Sequence, residues 1–158
     1  VTTWSGEWRT SNPVWNWSVA SGGLVGQGRT GSGDITQRAG VWYVPGILEA
    51  LPAGATVTAA KLRLTRYGSG FGEATLVTPR LRMHTYSAIP TGAPTWTGSA
   101  WSPGTLAAGQ PGVWDLPSTW LTALLAGTAK GVGIDSTAYA DYALFSDLQI
   151  ELSYSVPA

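Results

Sequence analysis

The chain has 158 residues, enough for one domain that buries roughly two thirds of the surface its unfolded chain exposes. Only 11% of its residues are charged and the formal net charge is zero, so long-range attraction to nucleic acid or an acidic membrane surface is not expected. There is no cysteine, which excludes disulfides and thiolate metal sites, and no apolar run approaches the roughly 18 residues of a membrane span. Nine tryptophans, 21 glycines and 10 prolines, with few helix signals, point to many turns and an all-β sandwich or barrel.

Val1 opens the chain with no Met and no signal-peptide pattern, which fits a processed chain or a piece of a longer one. Residues 1–33 are expected as a Trp- and Gly-rich N-terminal arm, packed on the domain or on a neighbour; residues 34–158 are expected as the β-sandwich domain. Trp15 and Trp17 sit two apart, so a strand places both on one face. Leu24–Gly28 reads as a short strand and Gly28–Asp34 as a flexible loop. Gly40–Pro45 is a strand by β-propensity, and Ile47, Leu48 and Leu51 suit a helical turn.

Thr56–Tyr67 is the clearest strand, with Ala60, Leu62 and Leu64 facing one way and Lys61, Arg63 and Thr65 the other. Leu76–Tyr86 follows, with Leu81, Met83 and Thr85 inward and Arg80, Arg82 and His84 outward. Ser87–Gly112 reads as a long decorated loop carrying Trp96 and Trp101. Val113–Asp115 suits a short strand before the one arguable helix, at about 117–126. Pro117 opens that helix, Trp120, Leu121, Leu124 and Leu125 share a face, and Gly127 stops it. A helix this short needs tertiary packing to persist. With the strand Lys130–Asp135 it is expected to form a lid on one end of the sandwich. Leu148, Ile150, Leu152, Tyr154 and Val156 alternate with polar residues in the final strand.

From Ala53 onward the order of features resembles the DNRLRE-type jelly-roll modules. The resemblance rests on the strand Ala59-Lys61-Leu62-Arg63-Leu64, the loop Pro94-Thr95-Trp96, the short helix ending in Gly127, and the strands Gly131–Ile134 and Leu148–Val156. Gln27-Gly28, Arg38–Tyr43 and Ala59–Tyr67 are similar to β-rich domains in minor tail proteins of phages that infect actinobacteria. These resemblances imply a virion surface module in a tail tip, fibre or spike, used for structure or host attachment.

Few residues suit chemistry. His84 is the one histidine; nothing around it forms a triad, and it reads as a surface residue. One histidine without cysteine disfavours zinc. Asp135, Asp141 and Asp147 are a weak calcium candidate without EF-hand spacing. Lys61, Arg63, Arg80, Arg82 and His84 would share a face if their strands lie in one sheet, as an anion or sugar-acid site or as cations neutralised by Gln149 and Glu151. Trp42, Trp114 and Trp120 sit in apolar patterns and are expected in the core.

Trp96 and Trp101, in a polar loop, are candidates for interface or glycan contact, with a structural cap as the alternative; Trp15 and Trp17 are candidates for contact with a neighbouring subunit or domain. The expected protein is a jelly-roll-type β-sandwich with one short helix. It is expected to be non-enzymatic, without cofactor or metal, and to belong to a phage virion as a minor tail, tail-fibre, tail-tip or capsid-decoration component. Its partners are other virion proteins or copies of itself in a homo-oligomer, and a host-surface glycan. The alternative is a secreted bacterial carbohydrate-binding or adhesion module at the cell surface; a hydrolase, which needs two facing carboxylates, is a distant third.

Overall fold

A computed structural model describes residues 4–9, 12–16, 24–29, 37–44, 47, 49–68, 74–88 and 90–158; for 4, 7, 9, 12–16, 37 and 139 it describes the backbone alone. The described strands are β1 (Trp4–Arg9), β2 (Asn12–Asn16), β3 (Val25–Arg29), β4 (Gln37–Tyr43), β5 (Thr56–Arg66), β6 (Leu76–Val77), β7 (Leu81–His84), β8 (Thr97–Trp101), β9 (Leu106–Ala107), β10 (Pro111–Asp115), β11 (Gly131–Asp135) and β12 (Ala143–Ser155). One α-helix, α1 (Ser118–Ala126), and a 3-10 turn at Tyr139–Asp141 complete them.

Ten strands form one antiparallel sheet in the order β10-β5-β12-β3-β4-β11-β7-β8, with β1 beside β4 and β2 beside β1. The sheet curls on itself at β3. Gln27, Gly26 and Val25 pair with Ala143, Leu144 and Phe145 of β12, whereas Gly28 and Arg29 pair with Arg38 and Gln37 of β4. Gly28 takes φ 83 at this corner, and a Cβ there would meet the backbone of Tyr142 and Asp141 at 2.5 to 2.8 Å, so only glycine fits. Gly28 and Arg29 thus belong to a strand rather than to the loop expected there; 30–36 lie outside the described residues.

The inner faces of the two halves meet in one core. Trp42, Leu81, Met83, Val132 and Ile134 come from one half, and Ala60, Leu62, Leu64, Phe145 and Leu148 from the other. This is an all-β sandwich of jelly-roll type, and the alternation of β5 sets its inward residues as the sequence pattern predicts. α1 closes the core with Trp120 and Leu124. The Pro117 carbonyl accepts the N–H groups of Trp120 and Leu121, so Pro117 caps the helix rather than opening it. Gly127 ends it in the left-handed conformation at φ 71.

Several expectations are corrected. The expected loop at Ser87–Gly112 holds β8, β9 and the start of β10. The expected strand Leu76–Tyr86 is two strands, β6 paired with β9 and β7 in the large sheet, with Pro79 between them. β11 lies between β4 and β7 in the sheet, so it is a core strand and no part of a lid. Thr85 is exposed, not inward. Of the expected helical turn, Ile47 is a buried turn residue and Leu48 lies outside the described residues. Segment 1–33 supplies β1 and β3 to the same sheet, with β2 on the far side of β1.

Candidate functional site

The basic residues of β5 and β7 do not share a face, because these strands lie in different halves of the curled sheet. On the β10-β5-β12 half, Lys61 reaches Asp115 of β10 at 2.6 Å and Arg63 reaches Glu151 of β12 at 2.9 Å. These are the cross-strand pairs that an exposed sheet face favours. Glu151 neutralises Arg63 as expected; Lys61 is taken by Asp115.

The outer face of the β4-β11-β7 half differs. Register places Ala39, Asp135 and Arg80 side by side, then Val41, Gly133 and Arg82, then Tyr43, Gly131 and His84. Trp8 of β1 stands opposite Ala39 on the same face. Val41 and His84 are fully buried, although they point away from the main core. Trp96 contributes to this second layer: its six-membered ring lies against Gly133, where any Cβ would overlap Cζ3 and stand 2.7 Å from the Gly40 carbonyl oxygen. The Arg82 guanidinium sits over the same indole, 5.9 Å from the ring centroid. Arg80 forms an ion pair with Asp135.

The segment between β7 and β8 that carries Trp96 is pinned at its neck. The Thr95 N–H donates to the Tyr86 hydroxyl oxygen at 2.6 Å, and the Tyr86 hydroxyl and Thr95 Oγ1 lie 3.0 Å apart. Tyr86 in turn leans on His84, ring against ring at 5.4 Å. His84 Nε2 donates to the Trp42 carbonyl at 2.9 Å, which leaves Nδ1 to accept the Tyr86 N–H at 3.1 Å. Burial, partly offset by the Trp42 hydrogen bond, lowers the His84 pKa from its ordinary 6.5 to about 4. His84 is therefore a neutral, buried linker, not the surface histidine expected from alternation.

Trp101 turns the other way. It pairs with Leu81 across β7 and β8, on the inner face, and meets Trp120 of α1 edge-on at 5.4 Å. This makes it a cap on the core, partly buried against α1. Trp42 and Trp120 are core residues as expected. Trp114 is only half-buried and packs on the core margin with its ring along Gly112. The backbone of Trp15 is described in β2, and Trp17 lies outside the described residues. The three aspartates are not brought together as ligands: Asp135 holds Arg80, Asp141 accepts the Ser136 hydroxyl at 2.6 Å, and Asp147 accepts that of Ser146 at 3.1 Å.

Two polar side chains, Arg66 and Gln27, are buried although the sequence pattern was not read that way. Arg66, 2% exposed, donates to the carbonyls of Ala74, Thr75 and Leu106 at 2.8 to 3.1 Å, and burial lowers its pKa. Gln27 donates to the carbonyls of Thr78 and Asp141 and accepts the Arg80 N–H. Their parity gave the signal, since Arg66 alternates with Leu62 and Leu64, and Gln27 with Val25. Among the described residues no helix is long and apolar enough to cross a membrane. No protein-family model matches the chain, and no curated protein matches it in sequence.

Proposed function

We propose that this chain is a non-enzymatic structural module of a phage virion, in a tail fibre, tail tip or capsid decoration, that assembles with copies of itself. The observation that carries the assembly reading is a ribbon formed by the far ends of β5 and β12. Thr56, Val57 and Ala59 pair with Ser155, Tyr154 and Ser153, beyond Ala60, whose carbonyl accepts the Leu116 N–H. β10 pairs only with Lys61–Thr65, and β3 only with Ala143–Phe145. Among the described residues the ribbon has no third strand, and it presents Tyr154 at 47% and Val156 at 54% exposure. A two-stranded ribbon is marginal alone in water, and open strand edges with apolar side chains favour pairing with another chain. The resemblance to minor tail proteins supplies the setting.

Light scattering behind size exclusion tests this reading. A trimer or larger ring is expected, and Tyr154→Lys with Val156→Lys is expected to dissociate it. A monomer at every concentration sinks self-assembly and moves weight to the second reading, a secreted carbohydrate-binding or adhesion module. One observation favours that second reading: Trp96 is half-exposed beneath a guanidinium that holds no carboxylate.

A further inference from the structure

The two edges of the β5-β12 ribbon are not alike. On β5 the Ala60 carbonyl is taken by the Leu116 N–H, and the register shift beside Ser153 and Tyr154 leaves Thr58 unmatched. The bulge therefore belongs to β5, and β12 runs regularly from Gln149 to Ser155. Because Ala60 points its carbonyl toward β10, Leu152 opposite it turns its own N–H and carbonyl away from β5. Alternation gives Ile150 and Tyr154 the same sense. Among the described residues no strand lies on that side, since β3 pairs with β12 only at Ala143–Phe145. Bulges, Lys and Pro are what blunt an open edge. From Gln149 to Ser155 the sequence has neither Lys nor Pro, and its one charged residue, Glu151, holds Arg63 on the outer face.

We propose that two copies of the chain join through this edge, β12 against β12 of the second copy, antiparallel about a two-fold axis at Leu152. The contact rests on self-assembly of the chain and names the strand that carries it. About this axis Leu152 faces Leu152 of the second copy, and Ile150 faces Tyr154. All three open N–H and carbonyl pairs are then filled on both chains, as a self-complementary two-fold contact requires. Half-exposed Tyr154 gains a β-branched partner, a favourable cross-strand pair. On the outer face Glu151 stands against Ser153, so no like charges meet. An axis at Glu151 would set the two carboxylates opposite each other. An axis at Ile150 would carry Tyr154 onto Ser146, across the register shift between Ser146 and Gln149. With the axis at Leu152, Gln149 of one chain meets Ser155 of the other, so the two sandwiches lie at opposite ends of the paired strands. The assembly then holds an even number of copies.

Hydrogen exchange of the full chain, read residue by residue at concentrations below and above association, tests the contact. The amides of Ile150, Leu152 and Tyr154 are expected to slow at least tenfold on association, whereas that of Glu151, which faces β5, is protected throughout. Light scattering is expected to give an even multiple of the chain mass. Leu152→Cys, in a chain without native cysteine, is expected to form a disulfide-linked dimer under mild oxidant, since hydrogen-bonded pairs stand about 5.5 Å apart at Cα. Tyr154→Pro removes a donor from the open edge and none from the pairing with β5, and is expected to dissociate the copies with the remaining amide protection intact. Should either variant fail to fold, exchange in the unaltered chain decides. An assembly that forms with the three amides unprotected, or with an odd number of copies, overturns the two-fold contact and leaves self-assembly standing. Protection of the three that is the same at every concentration overturns it as well. A monomer at every concentration removes both the contact and the self-assembly on which it rests.

Discussion

On the β10-β5-β12 half, Lys61 and Arg63 stand at the surface beside Asp115 and Glu151. On the β4-β11-β7 half, Arg82 and His84 of β7, with Arg80 just before it, follow a similar pattern, yet Val41 and His84 are fully buried and Trp96 lies across Gly133. Both sets point away from the core. The difference lies in what covers them, and it converts an ordinary basic stripe into a neutral histidine, an ion pair and a cation on an indole. Alternation along a strand therefore assigns a side of the sheet; it does not assign solvent.

The comparison breaks hardest at the glycines. A Cβ at Gly131 would overlap the Trp42 carbonyl oxygen and His84 Nε2, so Gly131→Ala is expected to cost about 3 kcal/mol or more in urea unfolding. A smaller loss would mean that the covering layer gives way without strain. The next effect is acid. His84 has a folded pKa of about 4 against 6.5 when unfolded, so as pH falls the unfolded chain takes up the proton first. Stability is lost from pH 6.5 downward until pH 4, because burial keeps the folded imidazole neutral while the unfolded chain gains from protonation. Between pH 7.5 and pH 5 the His84 contribution is about 2 kcal/mol, and His84→Gln should flatten the stability profile by that amount. An unchanged profile would return His84 to the surface. On the opposite face the effect is smallest: Arg63→Ala and Lys61→Ala are each expected to cost under about 1 kcal/mol, and less at high salt. A larger loss would mean that this face is covered too, as it would be in an assembly.

Some of this was legible and some was not. Ala60, Leu62 and Leu64, the existence of strands around Trp42 and Val132, and the helix with Trp120 follow from period and punctuation, although the Val132 strand lies in the sheet and not in the expected lid. Trp96 and Trp101 were indistinguishable in sequence, five residues apart in one polar, Pro- and Gly-rich stretch. Trp101 became a cap on the core because β8 pairs with β7 in a register that sets it beside Leu81. Trp96 stayed on the outer side because Gly133 leaves room there. Arg66 and Gln27 were readable from parity, but a charged or amide side chain at an inward position becomes convincing only when carbonyls that await a donor are in view.

By itself the sequence determined the all-β class, the strand β5 with its inward face, and the one short helix. These follow from local spacing, turn residues and the side-chain period of two, which act within a few residues of each other. Only the tertiary structure decided that β5 and β7 lie on opposite halves, that β11 is a central strand, that His84 is buried and neutral, and that the Arg82 guanidinium lies over the Trp96 ring. Each depends on which distant strand becomes the neighbour and on what then covers the sheet. Those pairings span tens of residues and leave no periodic trace along the chain.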